Sequence, residues 1–343
     1  MFACATVERS RLEHDVGLEV CVPKPSSFGR TCAGAHRAQG PAPLHGGVEA
    51  QCRSRLRQPT SARIEPVKLE CVTLAPASSS AAFGRRVVWA LFWAHIVAQP
   101  IYSLLPANLE RLGTLFIVLT GTAFGFAHLA VSRSWRAALT MMGLCLVVAG
   151  GLEALSVATG FPYGHYTYSS LLGPGILGVP LLVPFCWQMM AHNAGVVARL
   201  IHPRGWVIVA AGALTAWDLY IDPQNVRAGY WTWERGTGPF TYAGIPLENF
   251  AGWLLTALIM YARYARLERP APTSSNDLFE VLPVLVYVWM WFGSAVVNLF
   301  WWNQPLVALV GFVGTGVFAV PALRLLVSST RSGDLAWFKP RRA

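Results

Sequence analysis

Residues 137–158 read AALTMMGLCLVVAGGLEALSVA, an apolar run whose one charged side chain is Glu153. A helix needs about 20 such residues to cross the hydrocarbon core of a bilayer, so this stretch predicts a transmembrane helix. The composition of the whole chain agrees, because 54% of its 343 residues are hydrophobic and only 13% are charged. An ordinary soluble domain has about twice that charged fraction. The sequence therefore predicts an integral membrane protein and excludes a conventional water-soluble enzyme.

Apolar stretches of similar length recur on both sides of this one. The sequence predicts eight spans, at 87–105, 112–131, 137–158, 176–197, 205–221, 245–264, 281–300 and 306–326. If both termini are cytoplasmic, 14 Lys and Arg residues of the spanning region and C-terminus lie inside, and only Arg111, Arg227 and Arg235 lie outside. The positive-inside rule requires such an asymmetry. We therefore expect an all-α, polytopic bundle of about eight transmembrane helices with cytoplasmic termini, in a bacterial inner membrane.

The flanking segments differ from the apolar region. Residues 1–80 hold five of the seven cysteines, scattered Pro, Ser and Gly, and no persistent helical period, so we predict a disordered, mildly basic cytosolic tail. Residues 85–328 would form a transmembrane catalytic domain, and residues 329–343 a basic cytosolic tail. No cysteine pair has C-x-x-C spacing, which argues against a zinc site or a redox pair. Since the basic residues follow the membrane topology, we expect no nucleic-acid partner.

Two stretches of the chain resemble each other at an offset of 65 to 66 residues. Each has a carboxylate, then a GHYTY or GYWTW motif eleven residues later, then GVPL or GIPL. The copies start at Glu153 and Asp218, and their motifs occupy 164–168 with 178–181 and 229–233 with 244–247. We predict tandem helical hairpins, spans three–four and five–six, related by a pseudo-two-fold axis along the membrane normal. Glu153 and Asp218 would then face one another across a shared cavity.

Ionisable side chains inside membrane helices are costly and therefore rarely idle. Four carboxylates lie toward the outer ends of spans three, five and six, namely Glu153, Asp218, Asp222 and Glu248. Asp218 and Asp222 share one helix face, but Pro223 favours a cap for Asp222 at the end of its span. The structural alternatives are buried carboxylates satisfied by a tyrosine or an amide, and, for Glu248, a favourable position at a helix N-terminus. Clustered carboxylates with few cations in apolar surroundings tend to keep a proton, as a general acid requires.

The loops that follow spans three and five are rich in aromatic residues. They form either an interfacial belt or a pocket wall that stabilises a carbocation, and their repetition favours the pocket. The expected substrate-binding residues are Phe161, Tyr163, His165, Tyr166, Tyr168, Tyr230, Trp231, Trp233, Asn249 and Trp253. Of these, His165 is a candidate proton relay, and Asn249 a neutral hydrogen-bonding partner beside Glu248. The sequence has no P-loop, G-x-G-x-x-G or nucleophile-elbow pattern.

Three segments together resemble a known family. They are EALSVATGFPYGHYTY at 153–168, WDLYIDP at 217–223 and GIPLENFAGW at 244–253. Over residues 85–328 the chain resembles the CruF-type carotenoid biosynthesis proteins, membrane hydratases that add water to the terminal double bond at the acyclic ends of carotenoids such as γ-carotene or bisanhydrobacterioruberin. The resemblance implies a lipophilic carotenoid substrate, with membrane lipid and other carotenoid-pathway enzymes as further partners.

The residues suit that chemistry. Hydration of an isopropylidene end needs a neutral acid, a wall that tolerates a cation, and one positioned water. A protonated carboxyl, aromatic ring faces and a second carboxylate acting as base meet these needs without a metal or another cofactor. We expect Asp218 and Glu153 to be the acid and base pair, in either order, with Asp222 and Glu248 supporting them.

Three alternatives remain open from the sequence. Asp218 and Asp222 also have the spacing of a magnesium–diphosphate motif, as in an intramembrane polyprenyl transferase or lycopene elongase. Such a site normally has a second aspartate motif and flanking cations, whereas the repeat places Val157 opposite Asp222. A carotenoid end-group cyclase would share the cation step but then lose a proton. A proton-coupled transporter would use the carboxylates as a relay.

Overall fold

A computed structural model describes residues 19–23, 69–73, 79–234, 240–268 and 278–332. The chain divides into two compact units, residues 1–78 and 79–343. In the first, strands β1 (Glu19–Pro23) and β2 (Leu69–Thr73) pair antiparallel. The sequence predicts that residues 1–80 are disordered, and the residues of this segment other than 19–23, 69–73 and 79–80 lie outside the described ranges. The same holds for the predicted C-terminal tail beyond residue 332.

The second unit is a helical bundle. Its described α-helices are α1 (Ser79–Tyr102), α2 (Ala107–Ser132), α3 (Trp135–Leu144), α4 (Gly150–Thr159), α5 (Leu182–Ile201), α6 (Trp206–Arg227), α7 (Leu247–Leu267), α8 (Leu282–Phe300) and α9 (Pro305–Ser332). A π-helical turn, Cys145–Ala149, joins α3 to α4. Each of the eight predicted spans overlaps one helix, or, for the span at 137–158, α3 and α4 together.

Among the residues that the structure describes, four helical segments are long and apolar enough to cross a membrane. Judged by length and composition, they are Asn108–Ser132, Trp135–Thr159, Leu278–Phe300 and Pro305–Ser328. Of the other helices, α5, α6 and α7 carry buried polar side chains, which lower their apolar content. The helices are those of an all-α membrane protein. The number of crossings and the side on which the termini lie stay predictions.

Helix α5 holds the bundle together. It packs against α2, α6, α8 and α9, and its side chains are buried over most of its length. Buried tyrosines of neighbouring helices donate to backbone carbonyls, Tyr261 to Ala191 at 2.7 Å and Tyr287 to Ala213 at 2.9 Å. These large side chains fill the core without leaving their hydroxyl groups unpaired.

Pro223 predicts that helix α6 ends at Asp222. The prediction is wrong, because the helix continues to Arg227. Proline has no N–H and cannot donate to the carbonyl of Leu219 one turn earlier. The Tyr242 hydroxyl donates to that carbonyl instead, over 3.1 Å. A tertiary contact thus replaces the missing backbone bond, and Asp222 stays on the same helix face as Asp218.

The fourth predicted span, 176–197, starts too early. Its first residues belong to a short hairpin of β4 (Gly175–Ile176) and β5 (Val179–Pro180), which precedes α5. A second hairpin, β7 (Thr241–Tyr242) and β8 (Ile245–Pro246), precedes α7. Both turns have the same backbone shape at an offset of 66 residues. Their φ angles are 52° at Leu177, 80° at Gly178, 51° at Ala243 and 83° at Gly244.

Candidate active site

The two aromatic motifs form one two-stranded ribbon. Strands β3 (Tyr166–Tyr168) and β6 (Trp231–Trp233) pair antiparallel, with Tyr166 opposite Trp233 and Tyr168 opposite Trp231. The threonine at the centre of each strand is exposed. Since side chains alternate along a strand, the four rings share the other face. Ring centroids are 5.4 Å apart for the first pair and 5.6 Å for the second. We call these six residues the aromatic ribbon.

A close approach fixes the loop that leads into the aromatic ribbon. A Cβ atom at Gly252, in α7, would lie 2.6 Å from the carbonyl oxygen of Pro162, so only glycine allows this loop to rest on the helix. The next residue, Tyr163, is buried, and its hydroxyl and that of Thr256 are 2.7 Å apart. The Trp233 indole donates to the Tyr163 carbonyl over 2.9 Å. These contacts tie the ribbon to α7.

Glu153 lies in α4 and is buried. Its Oε2 accepts hydrogen bonds from the hydroxyls of Tyr166 and Tyr168, the second at 2.9 Å. Its Oε1 accepts from Nε1 of Trp187 at 3.1 Å. All three of these groups donate to the carboxyl, and such hydrogen bonds favour its ionised form, which is the form that can accept a proton.

Tyr166 and Tyr168 lie outside the helices, in the aromatic ribbon. Burial, followed by the neighbouring Glu153, raises the pKa of both phenols well above their ordinary range. Burial also raises the pKa of Tyr163 well above its ordinary value. These hydroxyls consequently remain neutral donors into the alkaline range.

Asp218 and Asp222 lie one turn apart in α6, and both are buried. Nδ2 of Asn249, near the start of α7, donates to Oδ2 of Asp218 at 3.0 Å and also to Oδ2 of Asp222. The Trp231 indole is a further hydrogen-bonding neighbour of Asp222. Oδ1 of Asp218 is buried and has no hydrogen-bond partner among the described residues. Two adjacent carboxyl groups thus share one amide donor.

A cavity of about 420 Å³ joins these groups. Glu153, Asp222 and Asn249 line it, and the other predicted residues in its wall are Tyr163, Tyr166, Tyr168, Trp231, Trp233 and Trp253. Trp253 stacks on Trp187 with ring centroids 4.0 Å apart. The remaining wall comes from α1, α2, α5, α6 and α8 and is largely apolar. The site is therefore a largely apolar cavity with carboxyl groups at one end.

Five predicted site residues lie outside this lining. Asp218 does not line the cavity and is connected to it only through its hydrogen bond with Asn249 and its contact with Asp222. The sequence predicts that Glu153 and Asp218 share a cavity. In the structure, the two carboxyls that share it are Glu153 and Asp222. Tyr230 is buried, and its hydroxyl pairs with that of Thr114 at 2.9 Å.

The other three are exposed and line a separate cleft of about 500 Å³. They are Phe161, His165 and Glu248. The structure thus does not bring the proposed supporting carboxyl of Glu248, or the candidate relay His165, to the chamber where Glu153 and Asp222 meet.

Sequence reasoning also missed wall residues that the structure reveals. Trp187 donates to Glu153 and stacks on Trp253, which stands 66 positions later in the matching copy, and that repetition is the signal that could have identified it. Trp217 lines the cavity too, and its buried Nε1 has no hydrogen-bond partner among the described residues. The wall residues of α1 and α8 carry no local signal, because they read as ordinary apolar helix.

Among the residues that the structure describes, no group of three or more His, Cys, Asp or Glu side chains is placed to hold a metal ion. The buried His128 and His192 form a pair instead, with ring nitrogens 2.9 Å apart. The expected independence from metals and other cofactors stays a prediction.

Comparisons with known proteins agree on one family. A family model described as carotenoid biosynthesis protein matches residues 112–318, which include Glu153, Asp218 and Asp222. A bisanhydrobacterioruberin hydratase from Haloarcula japonica is 31% identical over 218 residues, which cover 59% of this chain and 70% of that relative. No solved structure matches the chain. The chain belongs to the carotenoid biosynthesis protein family.

Proposed function

We propose that the chain is a carotenoid hydratase, which adds water across the terminal isopropylidene double bond of an acyclic end group and forms a tertiary alcohol. One observation carries the proposal, namely that Glu153 and Asp222 share a buried, aromatic-walled cavity while being held by different partners. The name of the similar archaeal hydratase supports it.

Asp222 is the proton donor. Two adjacent buried carboxyls that bond to no cation in the described part of the chain repel each other when both are ionised, so the Asp218–Asp222 pair holds a proton. Asp222, which faces the cavity, gives it to the less substituted carbon of the double bond. The π electrons form the new C–H bond, and the neighbouring carbon becomes a tertiary cation. Asp218 and Asn249 are positioning residues, because they act on the substrate through Asp222.

Aromatic rings stabilise this cation. The stacked Trp187 and Trp253 and the half-buried Trp233 line the cavity, and the faces of such rings attract positive charge. In an apolar chamber this attraction is stronger than in water. The negative charge of the Glu153 carboxylate also stabilises the cation that forms in the same cavity.

Glu153 is the base. A water molecule shares an electron pair with the tertiary cation, and Glu153 accepts the proton that this water releases, so that one H and one OH have been added to the double bond. The unpaired Nε1 of Trp217 is a donor for that water. The proton then returns from Glu153 to the Asp218–Asp222 pair, and the cycle consumes one water and no cofactor.

The proposal includes the membrane arrangement. The chain would cross a bacterial inner membrane eight times with both termini in the cytoplasm. The segment from α3 to α5 and the pair α6–α7 would be tandem hairpins. The matching turn angles and the antiparallel pairing of β3 with β6 support this symmetry. Terminal reporter fusions that are active only on the periplasmic side would contradict the topology.

The test is expression in a host that makes an acyclic carotenoid. Wild-type protein should raise the mass of the pigment by that of one water, in cells and in detergent without a gradient. The double variant E153Q/D222N, which keeps the shapes of both side chains, should yield unchanged pigment. A cyclic product of unchanged mass would indicate a cyclase, and a prenylated product lost on magnesium chelation a transferase. Absence of product in detergent would favour a transporter, and each of these three results contradicts hydration.

A further inference from the structure

The cavity has two unlike ends. Its carboxyl end is lined by buried and half-buried side chains. The exposed side chains of the lining are Pro100, Leu104, Trp289, Phe292 and Trp301. All of them belong to the C-terminal end of α1 and the residues just after it, or to α8 and the residue that follows it. Leu104 is 73% exposed and Phe292 56% exposed. The cavity therefore opens between the end of α1 and α8, through an apolar rim.

This inference rests on the proposed function. We propose that the opening between α1 and α8 is a lateral portal, through which the polyene chain of the substrate extends into the lipid while its end group lies at the carboxyls. An exposed apolar rim suits acyl chains rather than water. Gly293 in α8 is the specificity-determining residue of this portal.

Gly293 leaves room beside the backbone of α8. It lines the cavity, and apart from its two chain neighbours and the nearby backbone of α8, a Cβ atom built on it would meet no atom of the described residues within 4 Å. Glycine costs helix stability, about 1 kcal/mol relative to alanine. At this position it keeps open a space into which any larger side chain would project. A rigid, flat polyene can pass there against the bare helix.

An aromatic cluster covers one side of the opening. Trp302 is half-buried and packs edge-to-face on Tyr102 of α1, with ring centroids 6.3 Å apart. The guanidinium of Arg227, at the end of α6, lies 5.3 Å from the Trp302 ring. Because this cluster links α1 to α6, the path that remains runs along α8, past Gly293.

The size of the cavity fits one end of the substrate. Its volume of about 420 Å³ lies in the lower half of the range of about 300–1,000 Å³ that is typical of small-molecule sites. A carotenoid is long enough to approach the thickness of a bilayer, so most of its length must lie outside. The protein therefore recognises the end group that lies in the cavity and does not recognise the other end group of the same substrate.

The experiment compares Gly293→Trp with Gly143→Trp. Gly143, in α3, is a matched control, because its Cβ would also meet nothing within 4 Å but it does not line the cavity. Two substrates with the same isopropylidene end are used, an acyclic carotenoid and a short acyclic isoprenoid alcohol. Gly293→Trp should slow hydration of the carotenoid at least tenfold and leave that of the short substrate within twofold of wild type. Gly143→Trp should leave both unchanged.

Two results would overturn the portal. One is hydration of the carotenoid by Gly293→Trp at the wild-type rate, and the other is an equal loss with both substrates. If Gly293→Trp fails to fold, Gly293→Leu takes its place, and the visible absorbance of carotenoid retained during purification gives a second measurement. Retention should fall in the Gly293 variant only, and equal retention would refute the portal. A wild-type protein that hydrates neither substrate would refute the proposed function instead, while retention would still test the portal.

Discussion

Glu153 and Asp218 stand at matching places in the two halves of the sequence repeat, but their partners differ, and Asp222 has no matching carboxyl because Val157 stands at the equivalent place. Glu153 is a single carboxyl that accepts three hydrogen bonds, from two phenols and an indole. In the other half, two carboxyls share the amide of Asn249, and the Trp231 indole is a further hydrogen-bonding neighbour of Asp222. The first site has donors in excess, and the second has acceptors in excess.

This difference teaches how a repeat can yield two chemical roles. A carboxyl surrounded by donors is stabilised as an anion, whereas two adjacent carboxyls short of donors are stabilised by a shared proton. A symmetric pair of sites would give neither a defined acid nor a defined base. The different partners, together with the additional carboxyl of Asp222, would separate the two proposed roles.

The largest effect is expected where the proton is delivered. Asp222→Asn removes the proposed acid from the cavity and should lower kcat by about 10²–10⁴-fold, the usual contribution of a general acid. Asp218→Asn should cost less, because Asp218 does not line the cavity. Both rates would be measured on detergent-purified protein by pigment chromatography. A larger loss from Asp218→Asn than from Asp222→Asn would reverse the assignment.

Glu153→Gln tests the other half of the comparison. Glutamine fills the same space but cannot take a proton from water, so kcat should fall by about 10²-fold or more. Carotenoid retention during purification should change little, since the shape of the cavity is preserved. Wild-type turnover in this variant would remove Glu153 from the reaction.

Tyr168→Phe removes one of the three hydrogen bonds that the Glu153 carboxyl accepts. A hydrogen bond to a charged group contributes about 1.5–3 kcal/mol, so kcat/KM should fall by about 10- to 150-fold. Tyr230→Phe is the control, since this buried tyrosine of the same region does not line the cavity. Equal effects of the two substitutions would show that Tyr168 acts through packing alone.

The smallest effect concerns alkaline stability. Because the pKa of Tyr166 and Tyr168 is raised in the folded protein, their contribution to stability is fully present below about pH 10, where an unfolded tyrosine begins to ionise. It is lost as the pH rises from there through the folded pKa. The thermal midpoint in detergent should fall above about pH 10, and less steeply in the double variant Y166F/Y168F. Parallel curves for the two proteins would contradict this.

Much of the site could be predicted from local sequence, and the misses have physical causes. Glu153, Asp222 and Asn249 can be predicted as site residues because they are polar residues in apolar helices. The four rings of the aromatic ribbon can be predicted because their motif occurs twice in the sequence. Glu248 has the same polarity, yet it points away from the cavity. Its exposure depends on how α7 is rotated, which no local pattern specifies.

Asp222 shows the opposite case. Pro223 predicts the end of a helix, but the hydroxyl of Tyr242, distant in sequence, completes the hydrogen bonding of α6. The helix therefore continues through Asp222, which lines the cavity, whereas Asp218 one turn earlier does not.

The sequence by itself determined the class of protein, the positions of its helices and the presence of carboxyls within them, because apolar length and the cost of buried charge act locally. Only the tertiary structure decided which carboxyls share a chamber, which donors surround each one, and where the chamber opens. Those properties depend on helix rotation and on contacts between residues far apart in the chain, such as Trp187 with Glu153 and Asn249 with Asp222. Such contacts form only when several helices pack together.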